Sequence, residues 1–88
     1  MEPTWYVYIL RCGDGSLYTG IATDVDRRFE VHRSGKGAKY TRSRGVVEIV
    51  YRERCGGRPE ASKREWQVKQ LTREEKLRLI AAFQEEKA

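Results

Sequence analysis

The chain has 88 residues, which suits one domain spanning residues 1–88 and leaves no room for a second. No apolar run reaches the ~18 residues a membrane span needs, and Met1-Glu2-Pro3-Thr4-Trp5 lacks the regions of a secretory signal, so a cytoplasmic protein without a membrane partner is expected. The formal charge is +5, and the two cysteines, Cys12 and Cys55, form no metal-ligand pattern and read as free thiols in a reducing compartment.

The first element is a strand over Thr4 to Arg11, rich in Trp, Tyr, Val and Ile. Trp5-Tyr6-Val7-Tyr8-Ile9-Leu10 is nearly all apolar or aromatic, which predicts cover on both faces. Cys12-Gly13-Asp14-Gly15-Ser16 is turn chemistry, and Leu17 to Ala22 is a second strand, so the two should form an antiparallel hairpin. Hairpin pairing could bring Tyr8 and Tyr18 together, an ordinary aromatic cross-strand pair in its plainest reading. Gly20 inside a strand suggests a bulge or a close approach of backbone or ligand.

Thr23 or Asp24 caps a helix that runs to about Arg33, with Asp26 in its first turn. Ser34-Gly35-Lys36-Gly37 ends it. Ala38 to Ser43 reads as a helical turn or a loop. A third strand covers Val46 to Arg54, with Val47, Ile49 and Tyr51 expected on one face and Val46, Glu48, Val50 and Arg52 on the other. Gly56-Gly57 breaks it, and Pro59 suits the start of a helix reaching about Leu71. Thr72 and Glu75 form a capping box that opens a last helix, whose apolar side is Leu77, Ile80, Ala81 and Phe83. The order β-β-α-β-α-α implies an α+β fold, a small three-stranded antiparallel sheet flanked by helices.

Three polar residues fall on faces that should be apolar. Glu65 lies between Ala61 and Val68 on the apolar arc of its helix, where a carboxylate needs a partner or a metal. An ion pair with Lys69, or with an arginine of another element, would satisfy it without any function. Arg28 and His32 are four apart and straddle Val25 and Phe29, pointing a cation and an imidazole at the sheet. Each alone is readily structural; the three together suggest a site. Separately, the stretch from Arg33 to Arg44 carries Arg33, Lys36, Lys39, Arg42 and Arg44, with Ser34, Tyr40, Thr41 and Ser43 interleaved and no acid. That mixture suits phosphate contact, and it equally describes a solvated basic loop.

These residues, taken in order, resemble the GIY-YIG endonuclease superfamily. Tyr6-Val7-Tyr8 stands where the first motif would be, and Tyr18-Thr19-Gly20 where the second would be, ten residues on. Arg28 and His32 match the arginine and histidine of the family's helix, and Glu65 matches its metal-binding glutamate. Tyr6 replaces the motif's glycine and Thr19 its isoleucine, neither of which removes a chemical group. The closest likeness is to the small single-domain bacterial members. The resemblance implies the GIY-YIG fold and hydrolysis of phosphodiester bonds in DNA, or RNA, with repair or recombination as the setting the family suggests, and with Tyr8, Tyr18, Arg28, His32 and Glu65 as catalytic residues. It implies one divalent ion, Mg²⁺ or Mn²⁺, on Glu65. Nucleic acid would also meet Tyr6, Gly20, Arg27 and Lys69, together with Lys36, Lys39, Tyr40, Arg42 and Arg44 at the rim. A monomer with no protein partner is expected. The competing expectation is a non-catalytic nucleic-acid-binding module that retains the fold.

Overall fold

A computed structural model describes residues 2–87. The elements in chain order are strands β1 (Trp5–Cys12) and β2 (Leu17–Ala22), helices α1 (Val25–Arg33) and α2 (Lys39–Arg44), strand β3 (Val46–Gly56), and helices α3 (Arg58–Gln70) and α4 (Arg73–Lys87). The expected α+β fold with a three-stranded antiparallel sheet is present, in the strand order β2-β1-β3. Two boundaries differ. The stretch from Ala38 to Ser43, left undecided by the sequence, is the N-cap and first five residues of a short helix, and the third strand continues past Arg54 to Gly56.

The central strand β1 explains its own composition. Val7, Tyr8, Ile9 and Leu10 are all buried because both faces of the sheet are covered. Val7 and Ile9 join Val50, Tyr51, Val68 and Ile80 on the face under α3 and α4. Tyr8 and Leu10 join Ala22 and Val25, with Tyr6, Tyr18 and Phe29 packed alongside, on the face under α1. Fully burying an aliphatic side chain of this size contributes about 1.5–3 kcal/mol, so this one strand anchors both halves of the core.

Strict alternation fails in β3. Ile9 pairs with Tyr51 and Leu10 with Ile49, so Val50 has no partner on β1; Val47 is skipped in the same way. Each register shift turns the strand by one residue. In consequence Val50 and Tyr51 both enter the core under α3 and α4, while Val46 and Ile49 both pack on the α1 side. The expected faces, Val47-Ile49-Tyr51 against Val46-Glu48-Val50-Arg52, are therefore mixed.

Local signals set the helix ends. Asp24, rather than Thr23, caps α1, accepting from the Arg27 N–H at 3.0 Å. Thr72 and Glu75 form the reciprocal capping box of α4, at 2.8 and 3.2 Å, an arrangement worth about 1 kcal/mol. Cys12 is buried, Cys55 half-buried, and both are free thiols. Among the described residues no helix is long and apolar enough to cross a membrane.

Candidate active site

The hairpin register puts Tyr8 directly opposite Gly20 and Leu10 opposite Tyr18. Tyr8 and Tyr18 are therefore diagonal neighbours on one face, with ring centroids 6.5 Å apart. Gly20 is the close approach its position suggested. A Cβ there would stand 2.5 Å from the Tyr8 hydroxyl, so only glycine lets the phenol lie across β2.

Helix α1 supplies the next group. His32 is 1% exposed, and its Nε2 lies 3.0 Å from the Tyr8 hydroxyl. Its ring centroid is 5.1 Å from that of Tyr18 and 6.2 Å from that of Tyr8. The other ring nitrogen, Nδ1, lies 2.8 Å from the hydroxyl of Thr41 on α2. The loop between the two helices must pass tightly over the imidazole: a Cβ on Gly37 would overlap the ring. Outside that shell, the Tyr40 ring packs on Tyr18 at 5.9 Å, with the Arg44 guanidinium stacked on Tyr40 at 3.8 Å. Arg44 also donates to Asp14 of the hairpin turn at 3.1 Å. Helix α2 is thus clamped from within by His32 and from without by the β1–β2 turn.

Electrostatics single out the Tyr8 hydroxyl. Burial pushes its pKa up to about 12; the neighbouring Tyr18 raises it, the Arg28 guanidinium beside it lowers it, and the Glu65 charge raises it again. Burial, then the Arg28 charge, holds the His32 imidazole below the usual histidine value. Both cationic and anionic forms are penalised in a low-dielectric pocket, so at neutral pH the resting pair is an uncharged phenol against an uncharged imidazole.

The five residues expected to share a cleft are not equivalent. Tyr8, Tyr18 and His32 are in mutual contact. Arg28 is exposed as a residue, yet its guanidinium lies beside the Tyr8 hydroxyl and acts on both Tyr8 and His32. Glu65 stands on α3, whose core contacts are on the opposite face of the sheet. It is half-buried, its charge reaches Tyr8, and it pairs with Lys69 at 3.3 Å. The ion pair weighed from sequence is therefore real, and it engages Lys69 as well.

Of the proposed rim, Lys36, Lys39, Tyr40, Arg42 and Arg44 are all exposed. Arg44 is committed to Asp14 and Tyr40, while Lys36, Lys39 and Arg42 form no ion pair among the described residues. Tyr6 packs beside Tyr8. Arg27 is exposed and, with Arg28, borders an open cleft of about 590 Å³ between the end of β2 and α1. That cleft contains no other residue expected to be catalytic, since the tyrosine–histidine cluster lies beside it under the sheet's own cover. Thr41 and Gly37 are the site residues that the sequence did not reveal. A threonine in a basic stretch and a glycine after a helix have ordinary explanations, and only the fold brings them against His32.

The GIY-YIG catalytic domain profile matches residues 4–78. A UPF0213 protein of Desulfotalea psychrophila is 55% identical over 82 residues, covering 92% of this chain and 74% of the relative. A UPF0213 protein of Oceanobacillus iheyensis is 50% identical, covering 98% and 99%. The solution structure of a UPF0213 protein from Bacillus halodurans superposes with a TM-score of 0.57 at 51% identity, covering 90% of this chain and 84% of that one. That of a protein from E. faecalis does so with a TM-score of 0.62 at 41% identity, covering 94% and 88%.

Proposed function

The chain belongs to the GIY-YIG family, a nuclease-type family, and from that premise we propose that it hydrolyses phosphodiester bonds in DNA with Tyr8 and His32 as its proton-accepting couple. The observation that carries this reading is the 3.0 Å contact between the Tyr8 hydroxyl and His32 Nε2. A phenol with an ordinary pKa of about 10 is a poor base unless its own proton has somewhere to go. An imidazole within hydrogen-bond distance is that destination. As an attacking water gives its proton to the Tyr8 oxygen, the Tyr8 proton passes to His32 Nε2. The hydroxide attacks phosphorus, the bond to the leaving oxygen breaks, and that oxygen takes up a proton.

Arg28 is the phosphate-binding residue in this scheme. It is exposed enough to meet a polyanion and close enough to Tyr8 to act on its charge. Removing a donor of this kind typically costs about 10²–10³ in rate. Because Tyr8 is nearly covered, water reaches its hydroxyl once Arg28 turns outward onto a phosphate. Tyr18 packs against both partners and limits how far His32 can tilt.

Glu65 fits a divalent ion as a single carboxylate. Among the described residues no group of three His, Cys, Asp or Glu gathers anywhere, so water and phosphate oxygens would complete the shell, an arrangement that suits Mg²⁺ or Mn²⁺. When bound, such an ion supplies Lewis-acid stabilisation of the leaving oxygen. Lys69 would then release Glu65 and take a phosphate. The exposed Lys36, Lys39 and Arg42 give the salt-dependent part of binding.

The test is a cleavage panel over single-stranded, duplex and branched DNA with Mg²⁺ or Mn²⁺, and with EDTA as the metal-free control. Cleavage is expected in the parent and lost in Arg28→Ala and Glu65→Ala. Equal cleavage by the parent and both variants would refute the site. The Glu65–Lys69 ion pair favours one rival, a binding module without cleavage. That rival requires salt-sensitive DNA binding that survives Glu65→Ala, and no product under any metal.

A further inference from the structure

We propose that Thr41 is a positioning residue that holds His32 in its Nδ1–H tautomer and so leaves Nε2 free to accept the Tyr8 proton. The proposal rests on the Tyr8–His32 couple described above and names what aims it.

The argument is a proton count. The Thr41 hydroxyl has one hydrogen and two neighbours, His32 Nδ1 at 2.8 Å and the Ala38 carbonyl oxygen at 2.9 Å. Ala38 caps α2, and its carbonyl already accepts from the N–H groups of Thr41 and Arg42, each at 3.1 Å. If the Thr41 hydrogen pointed at Nδ1, two oxygens would face each other at 2.9 Å with no proton between them. The hydrogen therefore goes to the Ala38 carbonyl, and the Thr41 oxygen can only accept. Nδ1 must carry the proton. A neutral imidazole has one N–H, so Nε2 presents a lone pair, and the Tyr8 hydroxyl at 3.0 Å donates to it. The chain of donors runs one way, from Tyr8 to His32 to Thr41 to Ala38.

The opposite tautomer would put an N–H on Nε2, facing Tyr8. His32 could then stabilise a tyrosinate but could not take the proton from a tyrosine. The distinction decides the chemistry, and it is made by a residue on a different helix. Thr41 is fully buried, and α2 holds it there through Arg44 on Asp14 and Tyr40 on Tyr18. Gly37 allows the loop to bring α2 this close. The groups facing the imidazole are thus Tyr8 and Tyr18 from the sheet, Thr41 from α2, and Arg28 from its own helix.

The chain has one histidine, so ¹⁵N spectra of the imidazole report on His32 alone. At neutral pH the parent is expected to have a pyrrole-type Nδ1 and a pyridine-type Nε2. In Thr41→Val, which keeps the shape and lacks the hydroxyl, the population should move toward the Nε2–H tautomer, and Thr41→Ser should restore it. Cleavage by Thr41→Val should fall roughly 10- to 100-fold in kcat with little change in KM, its acid limb should shift along the pH axis, and serine should recover both. An Nε2–H tautomer in the parent, or the parent tautomer retained in Thr41→Val, would overturn the proposal. If Thr41→Val does not fold, the parent spectrum alone still decides the tautomer. If no variant cleaves DNA, the nuclease reading fails while the spectra judge Thr41 separately.

Discussion

Tyr8 and Tyr51 stand on opposite faces of the same sheet, and burial pushes both hydroxyls up to about 12. Their partners differ. Tyr51 donates to Glu53, which also accepts from Arg64 Nε at 3.1 Å, and its ring meets Phe83 edge-on at 5.3 Å. Tyr8 meets the imidazole of His32. Reference values put a phenol about 6 pK units above a glutamate and only about 3.5 above an imidazole. By those values a proton moving from a phenol to a carboxylate climbs a much steeper gradient than one moving to an imidazole. Tyr51, Glu53 and Arg64 form a closed structural triad, whereas the pair under α1 is the one proposed to pass a proton on. A raised pKa therefore marks burial in both places, and the nature of the partner separates chemistry from scaffolding.

The comparison breaks most visibly in the two Tyr→Phe variants. Tyr8→Phe is expected to lower cleavage by about 10²–10⁴-fold, whereas Tyr51→Phe should keep the parent rate and lose only about 1 kcal/mol in urea denaturation. Equal losses of activity would dissolve the distinction. Gly20→Ala tests how tightly Tyr8 is seated: the new Cβ would meet the phenol at 2.5 Å, and overpacking of this kind costs about 1–3 kcal/mol. An unchanged denaturation midpoint would mean that Tyr8 is free to move.

Arg64→Ala examines the other face. Its ion pair with Glu53 is about one-third exposed on each side, so solvent screening limits the expected loss to about 1 kcal/mol, with cleavage unchanged. The smallest effect is a slope. His32 is held below its ordinary pKa by burial and by Arg28. A depressed histidine pKa gives stability that is present above the unfolded value of about 6.5 and lost as pH falls through the folded value. The midpoint of the parent should drop over that acid range, and His32→Gln should flatten the drop. The same slope in both would place the acid sensitivity elsewhere.

The architecture was largely legible in the residues. The apolar run Val7 to Leu10 required a strand covered on both sides, the turn at Gly13 to Ser16 required a hairpin, and Asp24 and the Thr72–Glu75 pair marked helix starts. Of the five residues expected to line one cleft, Tyr8, Tyr18 and His32 lie in mutual contact, and period 2 along strands and spacing of four along a helix fix which face each side chain takes. The alternation in β3 misled, since bulges at Val47 and Val50 are set by pairing with β1 and leave no mark in composition.

Sequence by itself determined most of the elements, the first hairpin and the types of group available, because propensity, caps and periodicity act over a few residues. Tertiary structure alone decided which partners those groups found. It laid the Arg28 guanidinium beside the Tyr8 hydroxyl and brought Thr41 from a basic helix against the far nitrogen of His32. Such choices depend on distances between segments remote in the chain, and a hydrogen bond forms or fails over a few tenths of an ångström.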